Sequence, residues 1–230
     1  MTFHSCAAAA FALGLAGGAV TPAALHAQTT DSTYLTFTAV ALSPEASLRS
    51  GIESARSDEQ DAIRELDRLK DARTRLEARI NVQKADIDAL KSRSDLAKRD
   101  GRATDRAELE LRRRRAEADR KTLEEIKALF DARVGEMTAK RDWARARAKT
   151  YDAELALGRK RDERTDRASA DSTALGRLDK EIQDLEGKVL DARKDAAARQ
   201  ADWASRYRDT VEQEISVYRA QQATRDLTKP

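Results

Sequence analysis

Cysteine and histidine are nearly absent from this chain of 230 residues. The only cysteine is Cys6 and the only histidines are His4 and His26, so all three lie in the first 27 residues. The remaining 203 residues contain neither type, which excludes a disulfide framework, a Cys or His nucleophile and the usual zinc sites there. We therefore expect no metal and no cofactor.

Charge is absent from the same N-terminal segment. Residues 1–27 contain no Lys, Arg, Asp or Glu, and Ala7–Val20 is an unbroken run of 14 apolar and glycine residues. A small-x-small pattern ending at Ala27 follows, as at a signal-peptidase site, although no Lys or Arg precedes the run. A membrane-spanning helix needs roughly 20 apolar residues. The segment predicts a signal peptide cleaved after Ala27, a periplasmic or secreted protein and no transmembrane span.

Motifs that carry catalysis are also missing. The six glycines after residue 27 are scattered singly, and the chain has no phosphate-binding loop, GxSxG or SxxK motif. An enzyme built on carboxylates, such as a cell-wall hydrolase, needs a clustered acidic cleft, whereas here acidic and basic residues alternate regularly. The sequence predicts a protein that is not an enzyme.

Proline is absent from residues 45–229, and 37% of the chain is charged. Such a composition is typical of long helices or of disorder. Apolar residues recur at alternate spacings of four and three, which is typical of a coiled-coil seam. This spacing favours long helices over disorder. The series is Leu48, Ile52, Ala55, Glu59, Ala62, Leu66, Leu69, Arg73, Leu76, Ile80, Gln83, Ile87, Leu90, Ser94 and Ala97.

Local signals predict where the first helix begins and ends. Ser43 is a candidate cap and Pro44 suits the first helical position, while Gly101 suits a helix end and Asp105 with Glu108 a capping box. An antiparallel reversal at Gly101 pairs residues whose numbers sum to 203. The predicted pairs are Leu48 with Leu155, Ile52 with Tyr151, Leu66 with Met137, Leu69 with Val134, Arg73 with Phe130, and Ile80 with Leu123.

A second reversal is predicted near residues 169–172. The four-three spacing resumes at Leu175, and a reversal centred near Ala170 pairs Leu155 with Leu185, Tyr151 with Val189 and Met137 with Trp203. Without this reversal, the second and third helices would form one rod of about 180 Å. The expected fold class is all-α, a long antiparallel coiled coil of three helices, up-down-up. The expected segments are a signal peptide (1–27), a β-prone lead (28–43), helices at 44–98, 105–166 and 172–225, and a tail (227–230).

Four residues are candidates for partner binding. Ile87 and Leu90 face Ala116 and Arg113 in the predicted hairpin, which leaves apolar surface undercovered near its tip. Trp143 and Trp203 lie in identical Asp-Trp-Ala tripeptides 60 residues apart. Each tryptophan either anchors a wide part of the bundle or binds a partner. Self-association through the helices is also open.

Four consecutive arginines, Arg112–Arg115, are interpreted as a solvated helix face. Each has a carboxylate four residues away, in the pairs Arg112–Glu108, Arg113–Glu117, Arg114–Glu110 and Arg115–Asp119. Stacking aromatics, typical of single-stranded nucleic-acid sites, are missing nearby. No nucleic-acid partner is expected, although residues 99–167 carry 21 basic and 16 acidic residues and could weakly contact an anionic envelope surface.

These features predict an exported coiled-coil protein that acts as a scaffold, spacer or adaptor in the cell envelope. The alternative is a periplasmic holdase chaperone. In outline, the signal peptide, basic pI and charged hairpin resemble the Skp/OmpH chaperones. The resemblance implies a small β body built from both chain ends. Here only "TYLTFTAV" could contribute, and "QQATRDLTKP" offers no strand.

We expect the exported protein to begin at Gln28, because signal peptidase cuts after a small-x-small pattern. N-terminal sequencing of protein recovered from the periplasm or medium checks this cleavage site. Recovery of a cytoplasmic protein that still begins at Met1 would refute both the cleavage and the localisation.

Overall fold

A computed structural model describes residues 40–167 and 172–226, and these residues form three long helices. They are α1 (Glu45–Arg99), α2 (Ala103–Asp166) and α3 (Ser172–Asp226). The all-α fold is confirmed, and no strand occurs in the described part of the chain. The predicted signal peptide, the predicted lead up to residue 39, residues 168–171 near the predicted second reversal and the tail lie outside the described residues.

The helix ends agree with the predicted bounds to within two residues, but neither predicted cap forms. Pro44, with an extended ψ of 144°, occupies the position before α1, and no side chain caps that helix. Ser43 is therefore one residue too early to cap it. Helix α2 begins at Ala103, so Asp105 lies inside its first turn and pairs with Arg102 at 3.3 Å. The predicted capping box at Asp105 and Glu108 is therefore wrong.

Gly101 reverses the chain between α1 and α2. Its φ of +71° is the only positive φ in the described residues, and it is the conformation that glycine adopts without strain. The Arg102 amide then donates to the Ala97 carbonyl oxygen at 3.0 Å, which satisfies one of the last acceptors of α1.

The apolar seam of α1 is buried as its spacing predicts. All ten buried residues of the helix belong to the four-three series. Ion pairs to α2 include Glu59–Arg145 and Arg73–Asp131, both 2.7 Å, and their residue numbers sum to 204. These two contacts lie within one residue of the predicted register. The Tyr151 ring packs over Gly51, where an added Cβ would lie 2.9 Å from a ring carbon.

Helix α3 packs on α2 and not on α1. Among the described residues, no Cα atom of α1 lies within 8 Å of one in α3. The second and third helices are separate, so the single-rod alternative is excluded. Their register differs from the prediction, because Trp203 stacks on Trp143, six residues beyond Met137. No glycine or proline fixes this reversal, so the side-chain packing sets its register.

The substitution Leu66→Asp tests the α1 seam. Leu66 is 5% exposed, and burying an unpaired carboxylate there should destabilise the fold by several kcal/mol. We expect the helical signal in circular dichroism to melt at a clearly lower temperature. The matched control, Val82→Asp on the exposed side of α1, should melt near wild type. An unchanged melt for Leu66→Asp would contradict the buried seam.

Candidate interaction surfaces

The two tryptophans join α2 to α3. Their rings stack at 4.9 Å between centroids with 8° between planes, and the Arg147 guanidinium lies 4.7 Å from the Trp143 centroid. Arg147 also donates to Asp58 of α1 at 3.0 Å. One continuous set of contacts therefore ties all three helices together at this level. Both rings are half-buried, so each also presents an edge to solvent.

Two arginines hold the backbone that leads into α1. Arg161 of α2 donates to the Val40 carbonyl oxygen at 2.7 Å and pairs with Glu186 of α3. Arg193 of α3 donates to the Ala41 carbonyl oxygen and to Glu154 of α2, both at 2.8 Å. Glu154 is 5% exposed, so this charged pair is partly removed from water. Residues 40 and 41 are thereby fixed against both helices.

Glu136 is a second buried carboxylate on α2. Burial raises its pKa, while a hydrogen bond from Thr210 and the positive charges of Arg133 and Lys140 act in the opposite direction. Thr210 is itself buried on α3. The pair places a polar contact inside the α2–α3 interface below the tryptophan stack.

The tip of the α1–α2 hairpin contains Ile87 and Leu90, which are half-buried. The Thr122 and Thr224 hydroxyls lie 2.9 Å apart, which places the end of α3 beside Thr122. Beyond that level, the described part of the chain consists of the two hairpin helices only. Here the seam narrows to small residues, since Ser94, Ala97 and Ala116 are the buried ones.

The arginine run forms two of the four ion pairs that its spacing predicts. Arg112 pairs with Glu108 and Arg113 with Glu117. The other two predicted pairs are wrong. Glu110 instead accepts from Arg106 at 2.9 Å, and within residues 40–167 and 172–226 neither Arg114 nor Arg115 has an ion-pair partner. These two guanidiniums are exposed cations on α2.

An exposed apolar stripe on α3 was missed from the sequence. Its large members and their exposed fractions are Tyr207 (50%), Val211 (37%), Ile215 (47%) and Tyr218 (61%). The signal was present, because the spacing of four, four and three places all four side chains on one side of a helix. These four positions lie outside the four-three series that resumes at Leu175, so that series does not identify them.

Within the described residues, no helix is long and apolar enough to cross a membrane. The same residues contain no group of three or more His, Cys, Asp or Glu side chains placed to hold a metal ion. No protein-family model, curated protein or solved structure matches the chain.

The substitution Trp203→Ala tests whether the tryptophan stack anchors the bundle. Removing a half-buried stacked ring should destabilise the protein by about 2 kcal/mol and lower its melting temperature. Trp203→Phe should remain closer to wild type, because it keeps a stacking ring and removes an indole Nε1 that has no hydrogen-bond partner in the described structure. Thermal melts followed by circular dichroism measure both. An unchanged melt for Trp203→Ala would favour partner binding instead.

Proposed function

We propose that this chain is an exported, non-enzymatic helical protein that acts as a spacer, scaffold or adaptor in the cell envelope. The observation that carries the proposal is the filled interface between α1 and α2. A helix of 64 residues measures about 96 Å, and α1 packs along it through buried seam residues at intervals from Leu48 to Ala97. A rod of this kind separates what is attached to its ends and offers charged flanks along its length.

The excess of positive charge on α2 favours an adaptor that contacts anionic polymers or lipid headgroups of the envelope. Arg114 and Arg115 are exposed and have no ion-pair partner in the described residues. Their attraction is local, because screening limits it to about 8 Å at physiological salt. We propose this as a secondary contact that supplements protein binding.

The exposed apolar surface favours a second candidate function, a periplasmic holdase. A holdase presents accessible apolar surface to unfolded clients, and this chain has the α3 stripe and the half-buried Ile87 and Leu90. Against this function, both surfaces are narrow, and the wide part of the hairpin seam is already filled.

Light scattering of an unfolded outer-membrane protein separates the two candidates. For a spacer, we expect the purified protein to suppress aggregation weakly or not at all, because little apolar surface is accessible. Strong protection against aggregation at near-equimolar ratio would reject the spacer, provided that the Ile87→Ser/Leu90→Ser variant loses this protection and keeps its helical content. Val82→Ser/Leu96→Ser, at exposed sites of α1, is the matched control. Affinity capture from the envelope then identifies what a spacer joins.

A further inference from the structure

The exposed stripe on α3 consists of Ala204, Tyr207, Val211, Ile215 and Tyr218, and we call it the α3 stripe. Eleven residues are close to three helical turns, so Tyr207 and Tyr218 lie almost above one another. The buried residues Thr210 and Val217 lie about a third of a turn away, on the side that faces α2. Neither α1 nor α2 therefore covers the stripe.

We propose that the α3 stripe binds a second copy of this chain, with the two α3 helices antiparallel. Pairing residues whose numbers sum to about 419 places Val211 against Tyr207 of the second copy and Ile215 against Ala204 of the second copy. Two-fold symmetry makes each contact twice. In this register, a large side chain meets a smaller one at both of these contacts, as interdigitated helix packing requires.

Charges beside the stripe specify this register. Arg208 and Glu212 flank the stripe on one side, and neither has an ion-pair partner within residues 40–167 and 172–226. In the antiparallel pair, Arg208 lies opposite Glu212 of the second copy, again twice. Opposite charges at the same edge of the interface favour a second copy as the occupant, because one helix supplies both halves of the complementarity.

A parallel pair is less compatible with the charges. It would set Glu214 opposite Arg219 of the second copy, five residues further along. Glu214, however, already pairs with Arg133 of α2 at 2.6 Å. Forming the parallel contact would compete with that pair, whereas the antiparallel contact uses only Arg208 and Glu212.

The inference goes beyond the proposed function, since a spacer and a holdase can each be a dimer.

Sedimentation velocity over a dilution series tests the proposal on the purified protein. We expect a reversible dimer, and we expect Val211→Gln/Ile215→Gln to weaken it roughly 100-fold, because four partly exposed apolar side chains lose their burial. Val82→Gln/Leu96→Gln, at exposed sites of α1, should dimerise like wild type. If the protein is a monomer at every concentration, the proposal is overturned, even if the monomer captures a different protein. A dimer that Val211→Gln/Ile215→Gln leaves unchanged would also overturn it.

Charge reversal tests the register. Arg208→Glu and Glu212→Arg should each weaken the dimer, since each places like charges opposite one another at two symmetric positions. The double variant should restore dimerisation. Both positions are exposed, so the helical content should remain that of wild type. Failure of the double variant to recover would refute the antiparallel register.

Cross-linking tests the direction of the helices. In a Cys6→Ser background, Val211→Cys should cross-link to itself through a short reagent with two thiol-reactive groups, such as a bis-maleimide, because its two copies are offset by about three residues. Tyr218→Cys should not, because its two copies lie about 25 Å apart along the axis at 1.5 Å per residue. Equal cross-linking at both positions would indicate a parallel pair and overturn the proposal.

Discussion

Helix α2 must bury two faces, because α1 and α3 each pack on it and not on one another. The requirement is visible at residues 144–150, where Ala144, Ala146, Ala148 and Thr150 are all buried. Such alternate positions point to opposite sides of a helix, so a single seam cannot contain them. Small side chains at these positions let two neighbouring helices approach closely, and on the α3 side the Thr150 hydroxyl donates to the Ala192 carbonyl oxygen at 3.1 Å.

Charged contacts add specificity to this packing more than they add stability. In most cross-helix pairs, as in Glu59–Arg145, at least one partner is more than a third exposed, and exposed pairs contribute about 0–1 kcal/mol. The arginine contacts at the end of the bundle where residues 40 and 41 lie are different. Arg193 reaches a buried Glu154 and a backbone carbonyl at once, so removing it would leave a carboxylate buried without its partner. That end is held by polar contacts, and the hairpin tip by small-residue packing.

Because α2 packs between α1 and α3, α3 has only one neighbouring helix in the described part of the chain. Its buried residues, Leu178, Val189, Thr210 and Val217, are few, and its second apolar side faces solvent as the α3 stripe. This asymmetry explains why Trp203 could be singled out from the sequence while Val211 could not. A tryptophan is conspicuous by type. The exposure of Val211, by contrast, depends on which side of α3 meets α2, and the second reversal does not fix that side.

The sequence by itself determined the three helices, the Gly101 reversal and the α1 seam, because these depend on local spacing and on the conformational freedom of one residue. Every buried residue of α1 could be named from its four-three series. Only the tertiary structure decided the α2–α3 register, the Trp143–Trp203 stack and the anchoring of Val40 and Ala41. These depend on contacts between residues far apart in the chain, where a small rotation of a long helix selects different partners. The pairing of Arg106 with Glu110, at the expense of Arg114, shows the same limit within one helix, because two cations competed for one carboxylate.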